Sequence, residues 1–379
     1  MRAVALIDGE HYPAVVRDAL AALPYEWVGA ILVGGTEKLR GDDGWGVPLR
    51  DDFGDAELVV DLSDEPVLGP AARFGWVARA LAAGLPYVGA DFRFDPPVFE
   101  PFELPSVAVI GTGKRVGKTA VTTHLARLLA RDRDVLVVAM GRGGPAEPEL
   151  VETPPGVADL LALARSGRHA ASDHLETAAL AGVPTIGCRR AGGGLAGDVF
   201  FSNVLEGARL AADRRPDLVV FDGSGASIPP VAVDRRVLVT GPGHDLAAHL
   251  NPYRGLISDL VLSIGGDAPG ALRADLRLRP LEELSGQVAV FTAGAAPVDH
   301  LDAEVVHVSR ALADRPALRA ELARLDADTY LVEIKGAAID VVAEHALAAG
   351  RRVVFAANEL VGDGVDEALL ALARPAVAA

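Results

Sequence analysis

The sequence predicts an α/β protein with mostly parallel sheets. Apolar runs that end in glycine or an acidic residue alternate with helical patterns along almost the whole chain. Half of the 379 residues are hydrophobic, so the chain can bury the cores that such layers need. At this length we expect two or three domains, because a single core rarely serves so many residues.

The first part of the chain predicts a Rossmann-like domain over residues 1–100. Its last residues belong to a segment, Phe92–Pro105, in which prolines recur. Proline lacks a backbone donor and breaks helices, so this segment predicts a linker rather than a helix or a central strand. Strands of the first domain are expected at Ala3–Ile7, Val28–Val33, Leu58–Leu62 and Tyr87–Gly89.

After the linker the strand–helix pattern resumes and predicts a second domain over residues 101–286, with a helix at Gly117–Ala130. Residues 287–379 add further strand–helix units, as a third domain or as a continuation of the second. Strands of these regions are expected at Ser106–Ile110, Val135–Ala139, Pro184–Gly187, Leu218–Phe221, Arg236–Thr240, Leu260–Ile264, Val288–Phe291, Val305–Val308, Tyr330–Glu333 and Arg352–Phe355.

The composition indicates a cytoplasmic protein that binds neither nucleic acid nor membrane. A net charge of −16 repels polyanions and anionic lipid over long range. Cys188 is the only cysteine, which excludes an intrachain disulfide and a thiolate metal cluster. The N-terminal residues turn acidic at Asp8, unlike a secretory signal, and no apolar run reaches membrane-spanning length.

The segment GTGKRVGKT, between a predicted strand and a predicted helix, has the context of a phosphate-binding loop and predicts a P-loop NTPase domain. Backbone N–H groups and the helix N-terminus would bind the phosphates. Lys118 would reach the β and γ phosphates, and the Thr119 hydroxyl would bind Mg²⁺. Thr112 stands where the usual pattern has glycine, and the spelling resembles the loop of dethiobiotin synthetase. The nucleotide-binding residues are expected to be Thr112, Gly113, Lys114, Arg115, Val116, Gly117, Lys118 and Thr119.

Asp222 is the second expected ligand of Mg²⁺. It ends the apolar run LVVFD, and Gly223 and Gly225 follow it. Carboxylate oxygens suit this hard cation, although a carboxylate at a strand end also caps turns. Guanine-specific relatives of such proteins carry N-K-x-D or T-K-x-D, and neither string occurs here, so we expect ATP as the nucleotide.

Lysine is scarce, since only four of the 36 basic residues are lysines: Lys38, Lys114, Lys118 and Lys335. Two of them lie in the phosphate loop, where a compact ammonium group is needed. The sequence assigns no role to Lys38 or Lys335.

Three arginines are candidates for binding an anionic substrate. Arg142 follows a predicted strand, and Arg189 with Arg190 follows another. The carboxyl ends of strands in open α/β sheets face the ligand crevice. Guanidinium groups beside glycine-rich backbone would bind carboxylate or phosphate there. The alternative is that these side chains are simply solvated.

The N-terminal motif DGEHYP offers Asp8, Glu10 and His11 after the first strand. These residues would either cap the helix that follows or line a substrate crevice facing the second domain. The nine histidines lack the spacing of a metal cluster.

Six motifs in order give the chain a specific resemblance: DGEHYP, GGTEKL, GADFRFDPP, GTGKRVGKT, MGRGGPAEPE and FDGSGASIPP. With them the chain resembles the cyclic 2,3-diphosphoglycerate synthetase family over about residues 3–230. The resemblance implies ATP- and Mg²⁺-dependent closure of 2,3-diphosphoglycerate to an intramolecular pyrophosphate, with release of ADP and phosphate. A homodimer is common for this type of fold, and the need for K⁺ is left open.

The resemblance also implies roles for the candidate residues. Lys118 would act on the transferred phosphate, and Lys114 with Arg115 would reach the acceptor phosphate. Arg142 would neutralise charge during transfer, together with Arg189 and Arg190. We expect the catalytic groups to be Lys118, Lys114 and Arg142, and the substrate-binding groups to be Arg142, Arg189, Arg190, Asp8, Glu10 and His11.

Two alternatives remain open on the sequence. One is an ATP-dependent ligase or kinase of another small acid, as in dethiobiotin synthetase. The other is a switch ATPase that changes its dimer state. Switch ATPases of this kind carry a lysine directly after the first loop residue, where this chain has Gly113.

Overall fold

The computed structural model describes residues 1–39, 44–294 and 297–373. The chain folds into two compact units. The first unit comprises Met1–Val98 and Asp245–Ile257, and the second comprises Phe99–His244 and the chain from Ser258 onward.

The strands and helices follow in chain order. The strands are β1 (Arg2–Ile7), β2 (Glu26–Leu32), β3 (Leu58–Asp61), β4 (Tyr87–Val88), β5 (Arg93–Phe94), β6 (Glu100–Pro101), β7 (Ser106–Gly111), β8 (Val135–Gly141), β9 (Glu149–Val151), β10 (Thr185–Ala191), β11 (Phe201–Ser202), β12 (Leu218–Asp222), β13 (Val231–Ala232), β14 (Arg235–Thr240), β15 (Leu260–Ile264), β16 (Leu272–Pro280), β17 (Gln287–Phe291), β18 (Glu304–Ser309), β19 (Thr329–Glu333) and β20 (Arg352–Val361). The helices are α1 (Pro13–Ala22), α2 (Pro70–Ala82), α3 (Lys118–Leu129), α4 (Val157–Arg165), α5 (Asp173–Ala181), α6 (Val204–Arg214), α7 (Asn251–Leu256), α8 (Arg315–Leu322), a π-helical segment (Ala338–Ala343), α9 (Glu344–Ala348) and α10 (Val365–Leu372).

The first unit is built on a sheet in the order β2-β1-β3-β4-β5. Its neighbouring strands are parallel apart from the short β4–β5 pair. Helix α1 begins at Pro13, where a missing N–H group costs nothing. Helix α7, from the later segment Asp245–Ile257, packs against α2 and completes this unit. No motif in the sequence indicated that Asp245–Ile257 belongs to the first unit.

The second unit is built on one long mixed sheet in the order β11-β10-β8-β12-β7-β14-β15-β16-β20-β19-β17-β18. Strand β7 lies between β12 and β14 and is parallel to both. The first half of β16 pairs in parallel with β15, and its second half pairs antiparallel with β20. The C-terminal strands therefore extend the same sheet.

Helix α3 is anchored to this sheet by an apolar stripe. Val121, Leu125 and Leu129 recur every four residues, and all three are buried. They pack in one cluster with Val107 and Val109 of β7. This packing fixes the start of α3 against the end of β7, where the phosphate loop joins them.

The observed elements confirm an α/β fold with mostly parallel sheets. Every expected strand is present, and the largest extensions beyond the expected bounds are in β10 and β20. Strand β16, with its antiparallel pairing to β20, and the short strands β5, β6, β9, β11 and β13 were not expected. Within the described residues, no helix combines the length and the apolar character that crossing a bilayer requires.

Candidate nucleotide site

The loop between β7 and α3 wraps around the side chain of Lys118. The Lys118 Nζ atom donates a 2.8 Å hydrogen bond to the carbonyl oxygen of Gly113. A Cβ atom on Gly111 would lie 2.8 Å from Lys118 Cδ, so glycine leaves room for the lysine stem in this position. Gly117 precedes the helix with φ at 93°, a left-handed conformation that favours glycine. The geometry of the loop therefore favours glycine at both positions.

Lys118 is an ammonium group with little access to water, since the residue is 8% exposed. Burial lowers its pKa, and the negative charges of Asp222 and Asp173 act against that shift. The positive charges of Arg142 and Arg190 lower the pKa further. A poorly solvated cation of this kind gains strongly from an anionic partner such as phosphate.

Asp222 is a buried carboxylate with an unused oxygen. It ends β12 and pairs in register with Val109 of the adjacent β7. Burial raises its pKa to about 7, and the Lys118 ammonium group opposes this rise. Its Oδ1 atom has no hydrogen-bond partner in the described part of the chain. An orphaned carboxylate oxygen beside a phosphate loop fits a ligand of a hard divalent cation.

Thr119 is the other predicted ligand of the cation. It occupies the first turn of α3 and is partly buried. Among the described residues, no group of three or more His, Cys, Asp or Glu side chains is arranged to hold a metal. A cation here would therefore need phosphate oxygens in addition to Thr119 and Asp222, which is how Mg²⁺ usually binds with nucleotides.

Three predicted cations converge on Gly225, in the loop that follows Asp222. If Gly225 carried a Cβ atom, Arg142 Nη2 would lie 2.8 Å from it and Arg190 Nη2 3.3 Å. Lys114 Cγ would lie 3.9 Å away. The β8 loop and β10 thus each bring a guanidinium group to a single glycine, and the phosphate loop brings the aliphatic stem of Lys114. Such a cluster is suited to a substrate with several negative charges.

The structure separates Arg190 from Arg189. Strand β10 continues through Ala191, so the two side chains point to opposite faces of the sheet. Arg190 donates 2.7 Å hydrogen bonds to the carbonyl oxygens of Gly192 and Ser224. The Arg189 guanidinium group instead lies over the ring of Phe201, 5.7 Å from its centre. Arg189 is therefore not part of the cluster at Gly225, and the expected paired anion site does not form.

Helix α5 adds acidic residues that the sequence analysis did not single out. It packs against α3 and β8. The Asp173 carboxylate would lie 3.0 Å from a Cβ atom on Gly141, the residue before Arg142. Glu176 is buried one turn later and forms a 2.6 Å ion pair with Lys335. Burial raises the pKa of Glu176 to about 7, and Lys335 opposes the rise.

His244 is a further neighbour of the loop that the sequence analysis missed. A Cβ atom on Gly113 would lie 2.3 Å from His244 Cε1, so the imidazole ring rests directly on the loop backbone. No motif marks His244, because this contact depends on the turn that follows β14.

In the first unit, Asp8 organises the turn after β1. It is fully buried and accepts hydrogen bonds from the backbone N–H groups of Glu10, His11 and Asp64. Its Oδ1 atom also lies 2.8 Å from His11 Nδ1. The structure thus places Asp8 inside the turn, with its oxygens engaged, whereas His11 is one-third exposed. Glu10 lies beside Glu37, and a hydrogen bond between them raises the pKa of Glu10.

Comparison with known proteins places this architecture in one family. The model of the N-terminal domain of cyclic 2,3-diphosphoglycerate synthetase matches residues 2–52 and 49–95. The model of its P-loop domain matches residues 106–284, and that of its C-terminal domain matches residues 280–359. The synthetase of Rubrobacter xylanophilus is 46% identical, covering 99% of this chain and 98% of its own. That of Pyrococcus abyssi is 38% identical, and the alignment covers 98% of this chain and 98% of its own. That of Methanothermobacter thermautotrophicus is 36% identical, and the alignment covers 99% of this chain and 96% of its own.

Likeness to solved structures is weaker. LpxK from Aquifex aeolicus in complex with ATP aligns with 73% of this chain and 91% of its own, at 12% identity and a TM-score of 0.44, too low to support an inference. The three domain models and the near full-length relatives carry the assignment. The chain belongs to the cyclic 2,3-diphosphoglycerate synthetase family.

Proposed function

We propose that this protein uses ATP to close 2,3-diphosphoglycerate into cyclic 2,3-diphosphoglycerate, with release of ADP and phosphate. The observation that carries the proposal is the convergence of Lys114, Arg142 and Arg190 on Gly225, in the loop that follows Asp222. A substrate with two phosphates and a carboxylate needs several cations before its phosphates can approach each other. Arg189, which lies over Phe201, is left out of this proposal.

The first step is phosphoryl transfer from ATP. An oxygen of one substrate phosphate attacks the γ-phosphorus, the bond to the β-phosphate oxygen breaks, and ADP leaves. The product is a substrate that carries a linear pyrophosphate. In this step the loop amides and Lys118 align the β and γ phosphates, and Lys114 and Arg142 neutralise the charge of the acceptor. Arg115, exposed on the same loop, is a further group for binding the nucleotide.

The second step is ring closure. An oxygen of the other substrate phosphate attacks the inner phosphorus of the linear pyrophosphate. The bond to the terminal phosphate breaks, inorganic phosphate leaves, and the new bond forms the cyclic pyrophosphate. Arg142 and Arg190 stabilise the charge that develops on the oxygens around the attacked phosphorus.

Mg²⁺ fits the donors that are present, with Thr119 and Asp222 as its protein ligands. When bound, it would neutralise charge on the β and γ phosphates. The unused Oδ1 atom of Asp222 supports this assignment. The proposed site assigns no donor to K⁺.

Other parts of the proposal rest on the sequence. We retain Glu10 and His11 as substrate-binding groups of the first unit, and we assign Asp8 to holding the His11 turn. We also propose a cytoplasmic homodimer and a Rossmann-like character for the first unit. The division into residues 1–100 and 101–286, with residues 287–379 as a third domain or as a continuation of the second, stays a proposal.

The reaction is tested by ³¹P NMR of the full chain with ATP, Mg²⁺ and 2,3-diphosphoglycerate. We expect signals of ADP and inorganic phosphate, together with a new pyrophosphate signal of the cyclic product. The Lys118→Ala variant should show none of them. Release of ADP and phosphate without the pyrophosphate signal would be ATP hydrolysis and would contradict cyclisation, and the kinase or ligase alternative would then be tested by adding other small acids as phosphoryl acceptors. ATP-dependent dimerisation without turnover, detected by gel filtration, would indicate a switch ATPase.

A further inference from the structure

Lys335 is one of four lysines in the chain, and the proposed reaction gives it no role. It follows β19, in the C-terminal part of the second unit. Its Nζ atom lies 2.6 Å from the carboxylate of Glu176, which is 159 positions earlier in the chain. The ion pair therefore joins the C-terminal strands to helix α5, next to the phosphate loop.

This ion pair is buried at its Glu176 end and partly exposed at its Lys335 end. The Glu176 side chain is only 6% exposed and that of Lys335 is 35% exposed. Burial lowers the pKa of Lys335, but the negative charges of Glu176, Asp173 and Glu333 together outweigh this effect, so the pKa lies above its usual value. A buried ion pair depends on both partners, because loss of one leaves an uncompensated charge. Helix α5 is thus tied to the C-terminal region at this point.

The tie acts on a helix that faces the nucleotide site. Asp173 and Glu176 are three positions apart and lie on the same side of α5. Asp173 sits beside Gly141, directly before Arg142. Its negative charge also reaches Lys118 and Arg190. A shift of α5 would therefore change the surroundings of three cations that the reaction uses.

We propose that Lys335 is a positioning residue of the nucleotide site: it holds Glu176, and through it helix α5, so that Asp173 keeps its place beside Gly141 and near Lys118. The C-terminal region thereby becomes part of the nucleotide-binding unit. This inference rests on the proposed function only in taking the phosphate loop as the site of Mg·ATP.

The test is calorimetric titration of the full chain with Mg²⁺ and a non-hydrolysable ATP analogue. We expect the Lys335→Met variant to bind at least tenfold more weakly than the wild type, with one site per chain retained. Lys335→Arg should recover affinity to within about threefold. The matched control is Arg165→Met, because Arg165 pairs with Glu344 across the same two regions but on the exposed surface. It should stay within twofold of the wild type.

Two outcomes would overturn the inference. One is a Lys335→Met variant that binds the ATP analogue within twofold of the wild type, even if its thermal midpoint is lower. A purely structural role would reduce the fraction of folded molecules but not the affinity of those that are folded. The other comes from the double variant Lys335→Met with Glu176→Gln, in which the buried charge is removed. We expect it to regain thermal stability but not affinity, and a return of affinity would mean that Lys335 only neutralises Glu176. Neither assay contains 2,3-diphosphoglycerate, so failure of the cyclisation proposal would appear separately, in the NMR experiment.

Discussion

The Arg142 guanidinium group lies against Gly225, with its Nη2 atom 2.8 Å from the position that a Cβ atom would take. Gly225 follows the buried Asp222 by three residues and adopts φ at 62°. Arg142 therefore contacts the same short loop that begins at Asp222, the carboxylate proposed to bind the metal ion. Any side chain at Gly225 would displace the arginine.

We predict that Gly225→Ala raises the KM for 2,3-diphosphoglycerate at least tenfold and changes the KM for ATP less. The new methyl group would push Arg142 and Arg190 out of the cluster. Independently of this contact, the left-handed backbone conformation lowers the free energy of unfolding of the alanine variant by about 1 kcal/mol. Gly350→Ala is the matched control, because its φ is 69° and nothing lies within 4 Å of its Cβ position. Gly350→Ala should lose a similar free energy of unfolding in urea and keep both KM values. An equal rise in the substrate KM of Gly350→Ala would show that backbone strain, and not displacement of Arg142, causes the effect in Gly225→Ala.

The two neighbouring arginines of β10 should differ sharply. Arg190→Met is expected to raise the KM for the substrate by about 100-fold, since removal of one charge-assisted contact costs about 3 kcal/mol in favourable cases. Arg189→Met should leave steady-state kinetics within threefold, because its side chain lies on Phe201. Equal effects of the two variants on substrate KM would contradict the separation seen in the structure.

Gly111→Ala tests the shape of the phosphate loop. The added methyl group would meet Lys118 Cδ at 2.8 Å and Cγ at 3.0 Å, so the lysine stem must move. We expect the affinity for Mg·ATP, measured by fluorescence titration, to fall at least tenfold, with the thermal midpoint nearly unchanged because the stem is flexible. Gly75→Ala in α2 is the control, because its Cβ position is open. It should bind ATP normally and gain up to about 1 kcal/mol of stability, as helix propensity predicts.

Local sequence context predicted the parts of the site that are local in the chain. The phosphate loop is recognisable because strand, glycines, lysine and helix lie within one short segment. Asp222 is recognisable because a buried strand leads directly into it. Both predictions rest on periodicity and turn chemistry, which act over a few residues.

Contacts between distant segments could not be predicted in this way. The Lys335–Glu176 pair spans 159 positions and exists only because the C-terminal strands join the sheet of the phosphate loop. The position of Asp173 depends on how α5 packs. From the sequence alone, Asp173 indicates only the first turn of a helix. The separation of Arg189 from Arg190 followed from alternation along a strand, but the expected strand ended at Gly187, before both of them.

The pKa of Asp222 predicts how stability depends on pH. Burial raises this pKa from an ordinary value near 3.8 to about 7 in the folded protein. Between about pH 4 and pH 7 the folded protein therefore holds a proton that the unfolded chain has released. Stability falls as pH rises through this range, by up to about 1.4 kcal/mol per pH unit. An asparagine side chain does not titrate, so the Asp222→Asn variant should lack this part of the slope.

The measurement is urea unfolding of wild type and Asp222→Asn between pH 5.5 and pH 8.5, without nucleotide or Mg²⁺. The wild type should lose stability relative to the variant as pH rises to about 7, with little further relative change above it. Glu176 also has a pKa raised to about 7, chiefly by burial, so Glu176→Gln should remove a second part of the slope. Binding of Mg·ATP should release protons near pH 7 in the wild type, because only the ionised carboxylate binds a cation. Parallel stability curves, or binding without proton release, would show that Asp222 is already ionised well below pH 7.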